Sequence, residues 1–157
     1  MMRRSDRAQP REFSLELIDR CTNGVMAVST GENTPYCLPL SFVRIGDSLY
    51  FHCARQGRKV DLLAQNPRVC VTFVGGDAPA FVPPHMYTSY FQSAIVTGTA
   101  CEVTQDEEKI AGLRALCQKL TPDFMGEHFE LAIEKTLSVT AVWRIDIDDI
   151  TGKAKLK

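Results

Sequence analysis

The sequence lacks most of the features that announce a function. Its 157 residues carry six cysteines, at positions 21, 37, 53, 70, 101 and 117, and no two of them form a C-x-x-C pair. Zinc ribbons and thioredoxin-type redox motifs therefore have no support. Four of the six (Cys37, Cys53, Cys70 and Cys101) fall in apolar, strand-like runs, where buried free thiols acting as small hydrophobes are expected. Neither G-x-x-x-x-G-K-[ST] nor G-x-G-x-x-G occurs, which excludes a P-loop and the dinucleotide fingerprint. No apolar run approaches the ~20 residues of a membrane helix. No apolar signal core follows the polar start Met1-Met2-Arg3-Arg4-Ser5-Asp6-Arg7. A cytoplasmic protein that does not engage a membrane is expected. A dominant charge is missing too: the net charge is −1 and the cations are scattered, so nucleic acid is not an expected partner. Three dispersed histidines, His52, His85 and His128, offer no ligand spacing, and no metal site is expected.

What is present is a composition 45% hydrophobic and 24% charged, that of a soluble globular protein, in a length that suits a single domain over residues 1–157. Ser14 can cap a helix that Asn23-Gly24 stops. Strands are predicted over residues 25–30, 36–43 and 49–53, joined as a meander, and over 69–74, 87–103 with a bend at Gly98, and 139–147. Residues 75–84 contain Gly-Gly, Ala-Pro and Pro-Pro and predict an irregular loop. Thr104-Gln105-Asp106-Glu107 fits a capping box before Ile110, Leu113, Leu116, Cys117 and Leu120 at helical spacing. Thr121-Pro122 restarts a helix to about Lys135. Asp146, Asp148 and Asp149 lack the glycine and glutamate of a calcium loop and suit a solvated strand end. Six largely antiparallel strands with helices outside imply a mainly β fold, a small barrel with peripheral helices.

The most informative stretch is Tyr50-Phe51-His52-Cys53-Ala54-Arg55-Gln56-Gly57-Arg58-Lys59. An apolar strand runs into a glycine, and two cations then open a short helix that Asn66-Pro67 ends. A helix start exposes unpaired N–H groups and the positive end of the helix dipole. An arbitrary Gly-Arg-Lys is most often a pair of solvated charges. Cations at the positive end of a helix are, however, misplaced by a few tenths of a kcal/mol unless an anion compensates them, and a phosphate is the natural one. His52, between Phe51 and Cys53, has two readings: a satisfied core or interface residue, or a group facing a ligand where imidazole relays a proton.

The wider pattern resembles the FMN-binding split-barrel family typified by pyridoxamine 5′-phosphate oxidases, and most of all its branch of Nim-type 5-nitroimidazole-resistance proteins. The resemblance rests on Pro39-Leu40-Ser41-Phe42, Tyr50-Phe51-His52, Gly57-Arg58-Lys59, Leu62-Leu63, Asn66-Pro67-Arg68-Val69-Cys70, Ser93-Ala94-Ile95-Val96-Thr97-Gly98 and Ile150-Thr151-Gly152-Lys153, in that order and spacing. It implies a six-stranded antiparallel split β-barrel that pairs as a homodimer with FMN at the subunit interface. Gly57, Arg58 and Lys59 fall on the Ser-Arg-Lys that grips the FMN phosphate in the oxidases, with glycine in place of serine. Cys37, Leu38, Pro39, Leu40, Ser41 and Phe42 fall on the strand that lies along the flavin ring. His52 and Cys53 fall where the third strand approaches the cofactor, with His52 the candidate catalytic residue. Ser93 falls on a flavin-contacting glutamine, and Trp143 lies near an aromatic–arginine pair. The implied activity is an FMN-dependent oxidoreductase passing electrons from NAD(P)H to a small acceptor such as a nitroaromatic. A non-catalytic flavin or haem carrier is the alternative, and a deazaflavin in place of FMN a third. The chain ends before the segment that holds pyridoxine phosphate in the oxidases, which argues against that substrate.

Overall fold

The computed structural model describes residues 3–157; Met1 and Met2, the first residues of the polar start, lie outside them. A 3₁₀ turn at Ser5–Arg7 leads to strand β1 (Ala8–Gln9) and helix α1 (Arg11–Arg20). Strands β2 (Asn23–Ser29), β3 (Pro35–Ser41), β4 (Val43–Ile45) and β5 (Ser48–Ala54) follow, then helix α2 (Arg58–Gln65). Long strands β6 (Arg68–Val82) and β7 (Met86–Glu102) precede helices α3 (Asp106–Leu120) and α4 (Glu127–Thr136), and β8 (Thr140–Lys155) closes the chain. Every strand pair is antiparallel. The hydrogen-bonded order is β3-β2-β6-β7-β8-β5-β4, with β1 on β8. Among the described residues no helix is long and apolar enough to cross a membrane.

The ends of that order explain the barrel. β3 and β4 are consecutive in the chain yet sit at opposite ends of the sheet, so the sheet curls and the chain crosses its split at Phe42. Phe42 is fully buried, with the rings of Phe51 and Phe73 each 5.6 Å away edge-on. Burial of one such ring is worth roughly 1.5–3 kcal/mol. The predicted strand 36–43 is therefore two strands, and the path holds seven rather than six. The expected meander is also corrected, since β3 pairs with β2 but not with β5.

Other boundaries shift for identifiable reasons. Residues 75–82 are strand, not irregular loop: they pair with 86–92, and a bulge between Val74 and Gly76 absorbs the Gly-Gly. Pro79 is tolerated because β2 pairs only as far as Thr72, leaving this stretch of β6 with a free edge. The bend expected at Gly98 coincides with a register shift between Thr97 and Gly98, where an added Cβ would stand 2.3 Å from the Asp146 carbonyl oxygen. Ser14 does not cap α1. It lies buried inside the helix, its Oγ donating to the Pro10 carbonyl at 3.4 Å. Thr104 forms no capping box, because α3 starts after Gln105 without a side-chain cap. The helix predicted after Thr121-Pro122 is a 3₁₀ turn, a break at Gly126 (φ +68°), and then α4. All six cysteines are free, but Cys37 is exposed and the others only half-buried, because they face outward or rim the core.

Alternation along β5 divides the interior in two. Leu49 and Phe51 point into the barrel with Leu17, Met26, Phe73 and Trp143. Tyr50 points the other way, into a second core where Leu113 and Leu116 of α3 and Phe129 of α4 cover Val142.

Candidate functional site

α2 is anchored by Leu62 and Leu63, which reach the barrel core with Val60 packed beside them, while Gly57 and Arg58 at its start face solvent. Gly57 precedes it at φ +132°, ψ 166° and caps no N–H through a side chain. That region of backbone space belongs essentially to glycine, so glycine at this position is dictated by conformation. The N–H groups of Val60 and Asp61 bond the Gly57 carbonyl at 2.8 and 3.1 Å, which leaves those of Arg58 and Lys59 without an intrahelical partner.

The guanidinium of Arg58 lies 4.6 Å from the centroid of Tyr36 on β3, and Lys59 Nζ lies 5.7 Å from that of Phe51 on β5. Neither cation has a carboxylate partner among the described residues, whereas Arg44, Arg68, Arg114 and Arg144 each do. Two cations therefore sit without an ion-pair partner at the positive end of a helix whose first turn also carries Asp61, Arg58 in contact with the edge strand of the sheet.

β3 pairs on one side only, with β2, and its other edge is free. Tyr36, Leu38 and Leu40 pack toward the barrel core, while Cys37 and Pro39 face outward. Ser41 is half-buried. The ring of Phe42 is locked in the core, so only its backbone is available to a ligand. Cys53 borders the barrel core beside Lys59, and burial pushes its thiol up against the opposing pull of that ammonium.

His52 is placed differently. It shares the parity of Tyr50 and lines a cavity beneath α3 and α4, on the opposite face of β5 from Phe51. His52 is exposed at the rim of this cleft, and its partly desolvated setting, with the nearby Lys59 charge, holds its pKa below the ordinary 6.5, which favours neutral imidazole.

Two other predicted residues stand apart from the helix start. Ser93 is on β7, opposite Val74 and Lys153, and its Oγ donates to the Lys153 carbonyl at 3.4 Å. Within one chain, three inter-strand steps separate β7 from β3, about 14 Å. Trp143 lies in register with Phe51, buried in the barrel, and its Nε1 has no hydrogen-bond partner among the described residues. Tyr36 was absent from the sequence prediction; its only signal is an aromatic residue opening the apolar run of β3. A larger cavity of about 540 Å³ lies by the β2–β3 turn, but its one cation, Arg68, is paired with Asp148 and its site carries no free charge.

A curled antiparallel sheet, split and crossed between its two end strands, with helices on its outside, is a split β-barrel. The chain belongs to the pyridoxamine 5′-phosphate oxidase family, whose sequence model matches residues 10–154. Solved structures share the fold. A candidate 5-nitroimidazole antibiotic resistance protein from Bacteroides thetaiotaomicron is 24% identical with a TM-score of 0.81, over 93% of this chain and 84% of that one. The flavocytochrome Anf3 from Azotobacter vinelandii is 21% identical with a TM-score of 0.84, over 100% and 73%. An FAD and haem binding protein from Mycobacterium smegmatis is 24% identical with a TM-score of 0.79, over 93% and 71%. No curated protein matches the chain.

Proposed function

We propose that this chain is a single FMN-binding split-barrel domain that works as a homodimeric oxidoreductase. The observation that carries the reading is the Arg58–Lys59 pair at the start of α2, without an ion-pair partner among the described residues and tied to the free edge of β3 through Tyr36. The two cations and the unpaired N–H groups of α2 would hold the phosphate. A strand's polar groups alternate from side to side, and Pro39 has no N–H to give to β2. Cys37 and Ser41 are therefore the residues whose N–H groups would meet the ring edge. Bound there, FMN supplies the two-electron chemistry, and the protein supplies position, charge and exclusion of water. His52, the candidate catalytic residue, faces the cleft beneath α3 and α4 and not the face of β5 that carries Phe51, so it would exchange a proton only with a molecule that enters from that cleft.

The dimer is supported by an uncovered sheet face. On the outside of β3, β2, β6 and β7 run two rows, Pro39–Val25–Thr72–Ile95 and Cys37–Ala27–Cys70–Thr97. Val25 and Ile95 remain 47% and 43% exposed. Ser93 shares this outward face, and a second copy laid on it would let Ser93 serve the flavin of the other subunit. Electrons would come from NAD(P)H and pass to a small acceptor such as a nitroaromatic.

A second reading, a flavin or haem carrier without turnover, is favoured by the flavin- and haem-binding names of two fold neighbours. The absorption spectrum of purified protein separates FMN from deazaflavin and haem. Anaerobic NAD(P)H then reduces the bound flavin if the protein is an oxidoreductase and leaves it oxidised if it is a carrier. Absence of flavin binding on titration with FMN refutes both flavin readings. Charge-assisted hydrogen bonds contribute roughly 1.5–3 kcal/mol each, so Arg58→Ala with Lys59→Ala should weaken FMN binding at least tenfold. Unchanged affinity would remove the phosphate site from these residues.

A further inference from the structure

We infer that the space beneath α3 and α4 is a binding site for an uncharged aromatic small molecule, hydrogen-bonded to His52. α3 turns Leu113, Leu116, Cys117 and Leu120 toward it, and α4 turns Phe129, Ala132, Ile133 and Thr136. Both sets repeat at i, i+3, i+4, i+7, the stripe of a helix meant to be covered. Two such stripes ordinarily close on one another, and native interiors leave few voids larger than a water. Here they meet at Leu113, Leu116 and Phe129 but leave beside that contact an open cleft of about 420 Å³, its rim formed by the exposed His52, Thr121, Ala132 and Thr136.

The gap is built in rather than left by a loose helix. At one end of α4, Arg114 donates to Glu130 at 2.9 Å and lies 4.4 Å from the centroid of Phe129. At the other end, Lys109 Nζ donates to the Leu137 carbonyl at 3.1 Å. α4 is thus pinned at both ends. A volume of this size with mostly apolar walls and few polar groups has the anatomy of a small-molecule pocket.

The lining selects the ligand. No Lys, Arg, Asp or Glu lines the cavity among the described residues, so an ionic ligand would lose hydration without gaining a partner. Thr121 and Thr136 already donate their hydroxyl protons to the carbonyls of Cys117 and Ala132. His52 and the hydroxyl of Thr140 are then the polar side-chain groups left to meet a ligand, and the imidazole is the larger of the two. Neutral imidazole offers one donor and one acceptor. A flat apolar molecule with a single hydroxyl or carbonyl would cover the apolar lining of the cleft and match that pair.

The test uses the full chain, with and without FMN, and three probes in calorimetric titrations: 1-naphthol, 1-naphthoate and hemin. 1-Naphthol should bind one per chain in both conditions, at least about tenfold tighter than the charged naphthoate. Ala132→Phe fills the mouth from an exposed position and should weaken naphthol binding about tenfold or more, with an unchanged melting curve. His52→Phe should weaken it about fivefold, the worth of one neutral hydrogen bond. Absence of naphthol binding, naphthoate binding as tightly, or indifference to Ala132→Phe would each overturn the site. Hemin that displaces naphthol and develops a His52-dependent Soret band would reassign it to a metalloporphyrin and overturn the ligand class. The outcome does not depend on the flavin reading, since the naphthol titration needs no FMN.

Discussion

The guanidinium of Arg58 stands over the ring of Tyr36, 4.6 Å from its centroid, and so joins the first turn of α2 to the edge strand β3. One contact thereby sets the spacing between the two elements proposed to hold the ends of a flavin. An exposed cation–π pair is worth about 0.5–1 kcal/mol. That is too little to matter for folding but enough to fix the rotamer of a side chain that is otherwise free in water.

Tyr36→Ala should lower the melting temperature, because the half-buried ring packs on the barrel core, and should weaken FMN binding by about three- to fivefold from the lost preorganisation of Arg58. Tyr36→Phe keeps the ring and should bind as the wild type does. Fluorescence titration of FMN against the three proteins distinguishes them. Equal affinities throughout would show that Tyr36 does not position the cation.

Gly57 offers a complementary case. Restoring the oxidases' serine looks like a gain of one hydrogen bond, yet the backbone there holds φ +132°. A side chain in that region costs roughly 1–3 kcal/mol. Gly57→Ser and Gly57→Ala should both lower stability by that order in urea unfolding, and both should weaken FMN binding by shifting the α2 start. A serine variant that binds FMN more tightly at full stability would mean the turn relaxes freely.

How much of this was legible depends on which forces decide each feature. The α2 start was readable because glycine, paired cations and a following Asn66-Pro67 act locally. The division at Phe42 was not. Tyr36, Leu38, Leu40 and Phe42 keep one inward alternation, and only the adjacent burial of Val43 marks the change of partner strand. Residues 75–82 misled because glycine and proline weigh against strand, while the long ladder with β7 is a tertiary fact. That Tyr50 and His52 share a face follows from the period of two, but that α3 and α4 cover this face does not. Ser93 carries no local sign of lying three strands from β3.

The acid side of the stability profile should report on His52. Its folded-state pKa is held below the ordinary 6.5 by burial, with Lys59 adding to the effect. The unfolded chain takes up a proton near that ordinary value and the folded chain does not, so stability present above it is lost as pH falls from about 6.5 toward the folded pKa. One proton limits the slope to about 1.4 kcal/mol per pH unit. His52→Gln should flatten this part of the profile between about pH 7 and 5.5, as measured by urea unfolding at each pH. Identical slopes in variant and wild type would place the imidazole in water. An anion bound at Arg58 and Lys59 offsets the Lys59 charge, so inorganic phosphate should raise the NMR-measured pKa of His52.

The crossing of the split depends on a single amine. Lys119 of α3 reaches past the second core, and its Nζ donates to the Phe42 carbonyl at 2.9 Å and to the Ile18 carbonyl at 3.1 Å. The first carbonyl lies where β3 gives way to β4, the second in the last turn of α1, where a cation also complements the helix dipole. Lys119→Met keeps the apolar stem and leaves both carbonyls without this donor, at about 1–3 kcal/mol. At about 2–4 °C per kcal/mol for a chain of this size, the melting temperature should fall by roughly 2–12 °C. Because Phe42 ends the strand assigned to the flavin ring, FMN binding should weaken together with stability, and Lys119→Arg should recover part of both. Loss of stability with unchanged FMN affinity would separate the crossing from the site and leave β3 positioned by β2 alone.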